Sequence, residues 1–249
     1  MLSRFWIFPI IALFIASTGF AQQWPAGEWK TAVISTTDAV HQAEAAATWN
    51  GNSLTVTAGG DDIWNTADQC TFVYKEVSGD FDVAITVNAL EQTNDWAKAG
   101  LMVRQNLEPG STNVLAAVRG LADLVTFQWR GEHEGASASQ RLTTTNGSIP
   151  VSIRLTGQSG VISGTYTPEY TDPDSWTPTE ELDSTDGEPP DPIDLIAWAD
   201  PVLVGIAVTS HQAGVITTAE IELIGGDDAT AVEAGGKLST TWARIRAGR

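Results

Sequence analysis

The sequence predicts an all-β protein, built as two antiparallel sheets packed face to face. Short segments in which apolar and polar residues alternate recur across residues 54–224, and this period of two is that of strands with one buried face. Turns rich in Gly, Asn, Pro and Asp separate the segments, and none of them shows helical periodicity. Many short strands with frequent turns are typical of a β-sandwich.

The first 21 residues predict a secretory signal peptide. Arg4 supplies a positive charge, an apolar run follows at residues 5–20, and Gly19 and Ala21 are small residues of the kind that precede a cleavage point. The run is short for a membrane span of about 20 residues. We therefore expect a mature chain without a transmembrane anchor, located outside the cell or in the periplasm.

Residues 22–226 predict one sandwich domain, because all-β domains commonly reach about 200–250 residues. The first mature strand, residues 30–36, is predicted at a sheet edge. The turn at residues 91–95 is short, so residues 81–90 and 96–104 are predicted to pair as an antiparallel hairpin, and residues 202–210 and 215–224 likewise. The remaining predicted strands are residues 54–58, 70–77, 113–119, 125–130, 141–143, 149–155 and 161–166.

Cys70 is the only cysteine, so the chain cannot form an intramolecular disulfide. It alternates in phase with Phe72 and Tyr74. Free cysteines usually behave as small apolar side chains, and we expect a buried thiol rather than a nucleophile.

The chain is strongly acidic, with 31 acidic and 13 basic residues and a formal net charge of −18. This charge argues against nucleic acids and anionic membranes as partners. Residues 168–200 hold 11 acidic residues and six prolines but no Lys or Arg, which predicts a long solvated loop. Calcium binding is the alternative, although the spacing matches no EF-hand or repeat calcium motif, so no metal ligands can be named.

The C-terminal residues 227–249 predict a linker and a basic tail. Residues 235–249 contain four basic and no acidic residues. Two hypotheses are open for this tail: it forms a short helix against the acidic body, or it is a sorting or attachment segment.

Four blocks carry a family resemblance: WAKAGLMVR (96–104), DIWNTADQ (62–69), FQWR (127–130) and VGIAVTSH (204–211). They resemble the bacterial domains of the "regulation of enolase" type in the concanavalin A-like lectin/glucanase superfamily. The resemblance implies a jelly-roll sandwich, a fold shared by lectins, carbohydrate-binding modules and glucanases. The chain departs from the family at Asn65, usually glycine, at Cys70, usually aromatic, and in the acidic insertion after Trp176.

The sequence favours a binding domain over an enzyme. The E-x-D-x-x-E run, with which glucanases of this fold place their carboxylates in the cleft, is absent, as is a serine nucleophile elbow. His41, His133 and His211 are far apart and fit no zinc spacing. We therefore expect carbohydrate recognition, with two alternatives: a structural or adhesion protein with cation-dependent stability, and a polysaccharide-active enzyme with scattered catalytic residues.

The candidate ligand-binding residues are aromatic and polar side chains at strand ends or on polar strand faces. Trp129 is in phase with apolar neighbours and is predicted to pack in the core, whereas tryptophans at strand or loop ends suit flat platforms for sugars. Surface ion pairs or turn hydrogen bonds are the alternative roles for the polar candidates. The candidates are Trp64, Trp96, Arg104, Gln128 and His211, with Trp176 as a further possible platform.

Overall fold

The computed structural model describes residues 24–35, 44–121, 124–143, 149–167 and 196–225. Trp176, the predicted signal peptide, the basic tail and most of the acidic segment lie outside these ranges. The described residues contain strands and no α-helix, and therefore no helix of the length and apolar character needed to cross a membrane. The strands are β1 (Lys30–Ile34), β2 (Ala46–Asn50), β3 (Ser53–Ala58), β4 (Ile63–Trp64), β5 (Ala67–Asp68), β6 (Cys70–Val77), β7 (Phe81–Leu90), β8 (Lys98–Arg104), β9 (Asn113–Arg119), β10 (Leu124–Arg130), β11 (Ser137–Thr143), β12 (Val151–Gln158), β13 (Val161–Thr167), β14 (Val202–Thr209) and β15 (Thr217–Ile224).

Two antiparallel sheets form the body, and this confirms the predicted two-sheet jelly-roll sandwich. One sheet has seven strands in the order β1-β6-β14-β8-β9-β10-β11, and the other has six in the order β13-β12-β7-β15-β3-β2. Strand β1 lies at an edge, as predicted. Strands β4 and β5 form a separate two-stranded hairpin, called the β4–β5 hairpin below.

The main core lies between the two sheets and is built by alternation along each strand. In β8, Leu101 and Val103 point into this core, whereas Met102 joins a second apolar cluster on the outer face of the seven-stranded sheet. Trp129 packs against the main core, as predicted. Cys70 is buried in the outer cluster, which confirms its predicted environment.

The two predicted hairpins are wrong. Strand β7 pairs with β12 and β15 in one sheet, and β8 pairs with β14 and β9 in the other. Strands β14 and β15 are separated in the same way. Each connection crosses from one sheet to the other, and packed sheets lie about 10 Å apart. For β7 and β8 the reason is that Val83, Ile85 and Leu101 bury their side chains together in the core between the sheets.

Three strand details also differ from the prediction. Strand β11 begins at Ser137, four residues before the predicted strand 141–143. Strand β12 continues to Gln158, beyond the predicted end at residue 155, and the turn after it lies at Ser159 and Gly160. Gly157 pairs with Phe81 within this strand, and a side chain would not fit there because the Phe81 ring lies 2.3 Å from an ideal Cβ position. The register between β7 and β15 shifts, and beyond the shift Leu90 rather than Ala89 is buried.

Candidate functional site

The β4–β5 hairpin lies against the outer face of the seven-stranded sheet. Ile63 is fully buried in the outer apolar cluster. The turn places Asn65 at φ +52°, a left-handed conformation that Asn and Gly tolerate better than other residues. Asparagine is therefore suited to this turn.

A buried polar cluster fixes the hairpin from below. The Asp68 carboxylate accepts hydrogen bonds from Arg104 (3.0 Å), from both terminal nitrogens of Arg130 (2.9 and 2.6 Å) and from Asn113 (3.0 Å). The side chains of Asp68, Arg104 and Arg130 are all 0% exposed. We call these four residues the Asp68 cluster; buried charges of this kind require such partners.

Arg130 connects the Asp68 cluster to the hairpin turn. Its Nη2 donates to the Trp64 carbonyl (3.2 Å) and its Nε to the Asn65 carbonyl (3.2 Å). Ser137 donates to the same Asn65 carbonyl at 2.8 Å. Arg130 therefore holds the backbone of Trp64 in place.

Arg104 lies under the hairpin and does not reach a solvent-accessible surface. Besides Asp68, its guanidinium donates to the carbonyls of Asn106 (2.7 Å) and Glu108 (2.7 Å), and it stacks over Phe72 at 6.0 Å. Arg104 lies on the strand face opposite the main core, as predicted. The structure buries that face and gives the side chain ion-pair and loop contacts, the alternative role considered for it.

The other four candidate residues line one cavity of about 230 Å³ beside the hairpin. We call it the Trp64–Trp96 cavity. Its described lining consists of Asp62, Trp64, Trp96, Lys98, Thr126, Gln128, Ser139 and His211.

The two tryptophans approach the cavity from different loops. Trp64 comes from the β4–β5 hairpin, and Trp96 from the crossing between β7 and β8. The backbone N–H of Trp96 donates to the Asn94 side-chain oxygen at 2.9 Å. The Arg119 guanidinium lies 4.2 Å from the centre of the Trp96 ring, a cation–π contact that orients the indole. Both tryptophans are half-buried.

Gln128, Thr126 and Ser139 supply polar groups from strands β10 and β11. Gln128 and Thr126 are buried on the outer sheet face. Gln128 donates through Nε2 to the Ile63 carbonyl of the hairpin, which ties the strand to the hairpin. The second amide hydrogen and the carbonyl of the Gln128 side chain add further hydrogen-bonding capacity.

A triad of charged or titratable groups forms one wall of the cavity. One Asp62 oxygen pairs with Lys98 and also accepts the Ile63 N–H at 2.7 Å. The other accepts from His211 Nε2 at 3.1 Å. Lys98 is only 4% exposed, and burial lowers the pKa of its ammonium, against the opposing effect of Asp62.

The Gly60 carbonyl connects the segment that carries Asp62 to the segment that carries His211. It accepts hydrogen bonds from Thr209 (3.1 Å) and Ser210 (3.0 Å) at the end of β14. Gly60 lies two residues before Asp62, and His211 follows Ser210 directly. His211 adopts φ +53° at this turn, so its ring turns toward Asp62 immediately after the strand ends.

Sequence reasoning missed Asp62, Lys98, Thr126 and Ser139. Lys98 could have been found, because it alternates in phase with Met102 and Arg104 on the outer face of β8. Thr126 could have been found from its phase with Gln128. Asp62 and Ser139 gave no comparable signal, since Asp62 lies before a two-residue strand and Ser139 lies in the part of β11 that was not predicted as a strand.

No group of three His, Cys, Asp or Glu side chains suited to a metal ion occurs within the described ranges. The acidic segment, which is predicted to be a solvated loop with calcium binding as the alternative, lies mostly outside them. Both interpretations therefore stay open.

The chain has counterparts among the solved structures. No protein-family model and no curated protein matches it. The structure of a functionally unknown protein from Saccharomyces cerevisiae has a TM-score of 0.50 at 13% identity, and the match covers 74% of this chain and 97% of that one. An identity this low shows a shared fold alone.

Two further matches are a glycoside hydrolase and a lectin. A family 16 endo-glucanase from Bacteroides ovatus, in complex with G4G3G-2F-DNP, matches at 10% identity and TM-score 0.42, over 79% of this chain and 94% of the enzyme. The basic winged bean lectin with Tn-antigen matches at 10% identity and TM-score 0.35, over 79% and 99%.

Proposed function

We propose that this protein is a secreted, non-catalytic domain that binds carbohydrate in the Trp64–Trp96 cavity. The observation that supports it best is the lining: two indole rings border a cavity whose walls carry amide, hydroxyl, imidazole and ammonium groups. Sugars combine apolar C–H faces, which pack on aromatic rings, with hydroxyl groups that need hydrogen-bonding partners.

The size of the cavity favours a small part of a glycan. Its volume of about 230 Å³ is below the roughly 300–1,000 Å³ of pockets that enclose drug-sized ligands. We infer that one sugar unit, at a chain end or a branch, enters it.

The distribution of carboxylates supports binding rather than hydrolysis. Asp62 is the one carboxylate in the described lining, and its oxygens are engaged by Lys98, by the Ile63 N–H and by His211. Most glycosidases place two carboxyl groups about 5–9.5 Å apart across the scissile bond. The described lining offers one.

The proposal includes export and family membership. Residues 1–21 have the pattern of a signal peptide, which supports secretion. The four sequence blocks support membership of the "regulation of enolase" type, and all four contribute residues to the cavity: Asp62, Trp64, Trp96, Lys98, Gln128 and His211.

The test is a glycan and polysaccharide binding screen on residues 22–249, run with calcium and again with EDTA. We expect reproducible binding to at least one glycan class. Trp96→Ala and Gln128→Ala should each lower the affinity for that glycan at least tenfold, because each removes part of the cavity lining.

Two variants outside the cavity serve as controls. Trp198→Ala removes another half-buried tryptophan, which lines a different cavity, and His133→Ala removes an imidazole that pairs with Glu108. Both should bind as the unmodified chain does. A screen without hits, together with a melting temperature raised by calcium, would contradict the proposal and favour the structural or adhesion role.

A further inference from the structure

The surroundings of the Trp64–Trp96 cavity carry an excess of buried positive charge. This is unusual in a chain whose formal net charge is −18. Among the buried and half-buried side chains described on the outer sheet face and the adjoining hairpin, the cations are Lys98, Arg104, Arg119 and Arg130, and the carboxylates are Asp62 and Asp68.

The two arginines of the Asp68 cluster share one carboxylate. Asp68 neutralises one of them, and the remaining positive charge is solvated by backbone carbonyls, such as those of Glu108 and Ser111. Carbonyl dipoles stabilise a cation without cancelling its net charge. The cluster therefore leaves a net positive charge directly beneath the hairpin that carries Trp64.

Lys98 and Arg119 place a second pair of cations at the cavity itself. They are direct partners in the register of β8 and β9, and Arg119 stacks on Trp96. Asp62 is the carboxylate that faces this pair at the cavity wall. Burial, and to a smaller extent Arg119, lowers the pKa of the Lys98 ammonium, while Asp62 opposes the shift.

The Lys98 ammonium has hydrogen-bonding capacity beyond Asp62. An ammonium carries three donors, and the described residues show one acceptor for Lys98 Nζ, the Asp62 Oδ1 atom. Lys98 also lines the cavity beside Gln128. An acidic group on a ligand would accept from the Lys98 ammonium, whose side chain is only 4% exposed, and charge pairing is stronger where water is excluded.

We propose that the cavity selects an anionic saccharide, whose acidic group binds at Lys98. This inference rests on the proposed carbohydrate site and adds the charge of its ligand. Either a carboxylate, as in a uronic acid, or a sulfate ester would supply the required anion.

The test compares acidic saccharides with neutral counterparts of the same sugar and length. Calorimetric titration of residues 22–249 would use a galacturonate oligosaccharide, its fully methyl-esterified form, and neutral and sulfated galactose oligosaccharides of equal length. At least one acidic form should bind tenfold or more tightly than its neutral counterpart, and the preferred pair identifies carboxylate or sulfate as the recognised group.

The outcomes separate this inference from the proposed function. Equal binding of acidic and neutral forms would overturn the anion inference and leave the carbohydrate site standing. Absence of binding to all four probes would overturn the inference for these anions. If the broad glycan screen were also blank, the carbohydrate proposal would fail as well.

Three variants test the role of Lys98. Lys98→Met should abolish the preference, so that the acidic and neutral forms bind with equal affinity. Asp62→Asn removes the competing carboxylate and should increase the preference, which is an effect of opposite sign. Lys30→Met, which breaks an exposed ion pair with Glu76 at the sheet edge, is the matched control and should change nothing. A preference unchanged in Lys98→Met would overturn the inference.

Discussion

Replacement of Asp68 by asparagine should destabilise the protein more than any other single loss of charge in the described residues. The side chain accepts four hydrogen bonds, from Arg104, Arg130 (two) and Asn113, at 2.6–3.0 Å. Asparagine has nearly the same size but no charge, and it presents an NH₂ group to some of these donors. Two buried guanidinium groups would then face each other without a counter-ion.

The expected loss is about 3–5 kcal/mol in the free energy of unfolding, the cost of removing one partner from a buried ion pair. For a domain of this size the melting temperature should fall by about 6–20 °C. Urea unfolding at pH 7, followed by tryptophan fluorescence, measures the free energy directly.

Asp82→Asn is the matched control for this measurement. Asp82 forms a two-point ion pair with Arg154, at 2.7 and 2.6 Å, but both side chains are partly exposed. Solvent-exposed pairs are typically worth about 0.2–1 kcal/mol. If Asp68→Asn cost no more than Asp82→Asn, the Asp68 cluster would not be the structural anchor described above.

Three further predictions concern single residues. Asn65→Val should cost about 1–3 kcal/mol in urea unfolding, since a β-branched residue is strained at φ +52°, whereas Asn65→Gly should be close to neutral. Burial raises the pKa of the Cys70 thiol to about 12, so the native protein should resist iodoacetamide at pH 8 and react once unfolded in urea. The Lys98 pKa in the folded state lies below its ordinary value of 10.5, so the native protein releases this proton first. The contribution of Lys98 to the free energy of unfolding should therefore rise as the pH increases from the folded-state pKa to the unfolded-state pKa. The measurement is the difference in unfolding free energy between the unmodified chain and Lys98→Met as a function of pH.

The sequence predicted most of the strands but not their partners, and it did not predict β2, β4 or β5. Alternation depends on which face of a strand is buried, and it placed β6, β7, β9 and β14 within one or two residues. Pairing depends on whether a short connection turns back within a sheet or crosses to the other one. Residues 91–97 are consistent with both, because either path requires only a few polar residues.

The candidate site was predicted in part, for a related physical reason. Trp64, Trp96, Gln128 and His211 were identified because strand ends and polar strand faces can be read from periodicity, and the structure brings these four to one cavity. Arg104 satisfies the same pattern. The difference is that the β4–β5 hairpin covers Arg104, and what covers a polar strand face depends on the tertiary structure. The strands of this hairpin have two residues each and are too short to be recognised by alternation.

The β4–β5 hairpin links stability to the candidate site. Two strands of two residues each cannot hold a defined position through their own backbone hydrogen bonds, since isolated hairpins are marginally stable. This hairpin is held by Arg130, by the N–H of Asp68, which donates to the Pro109 carbonyl at 2.9 Å, and by Gln128. Arg130 holds Trp64 through the same guanidinium that pairs with Asp68. A residue buried for structural reasons therefore determines where the half-buried Trp64 ring lies, and so a cavity between two loops can keep a fixed shape.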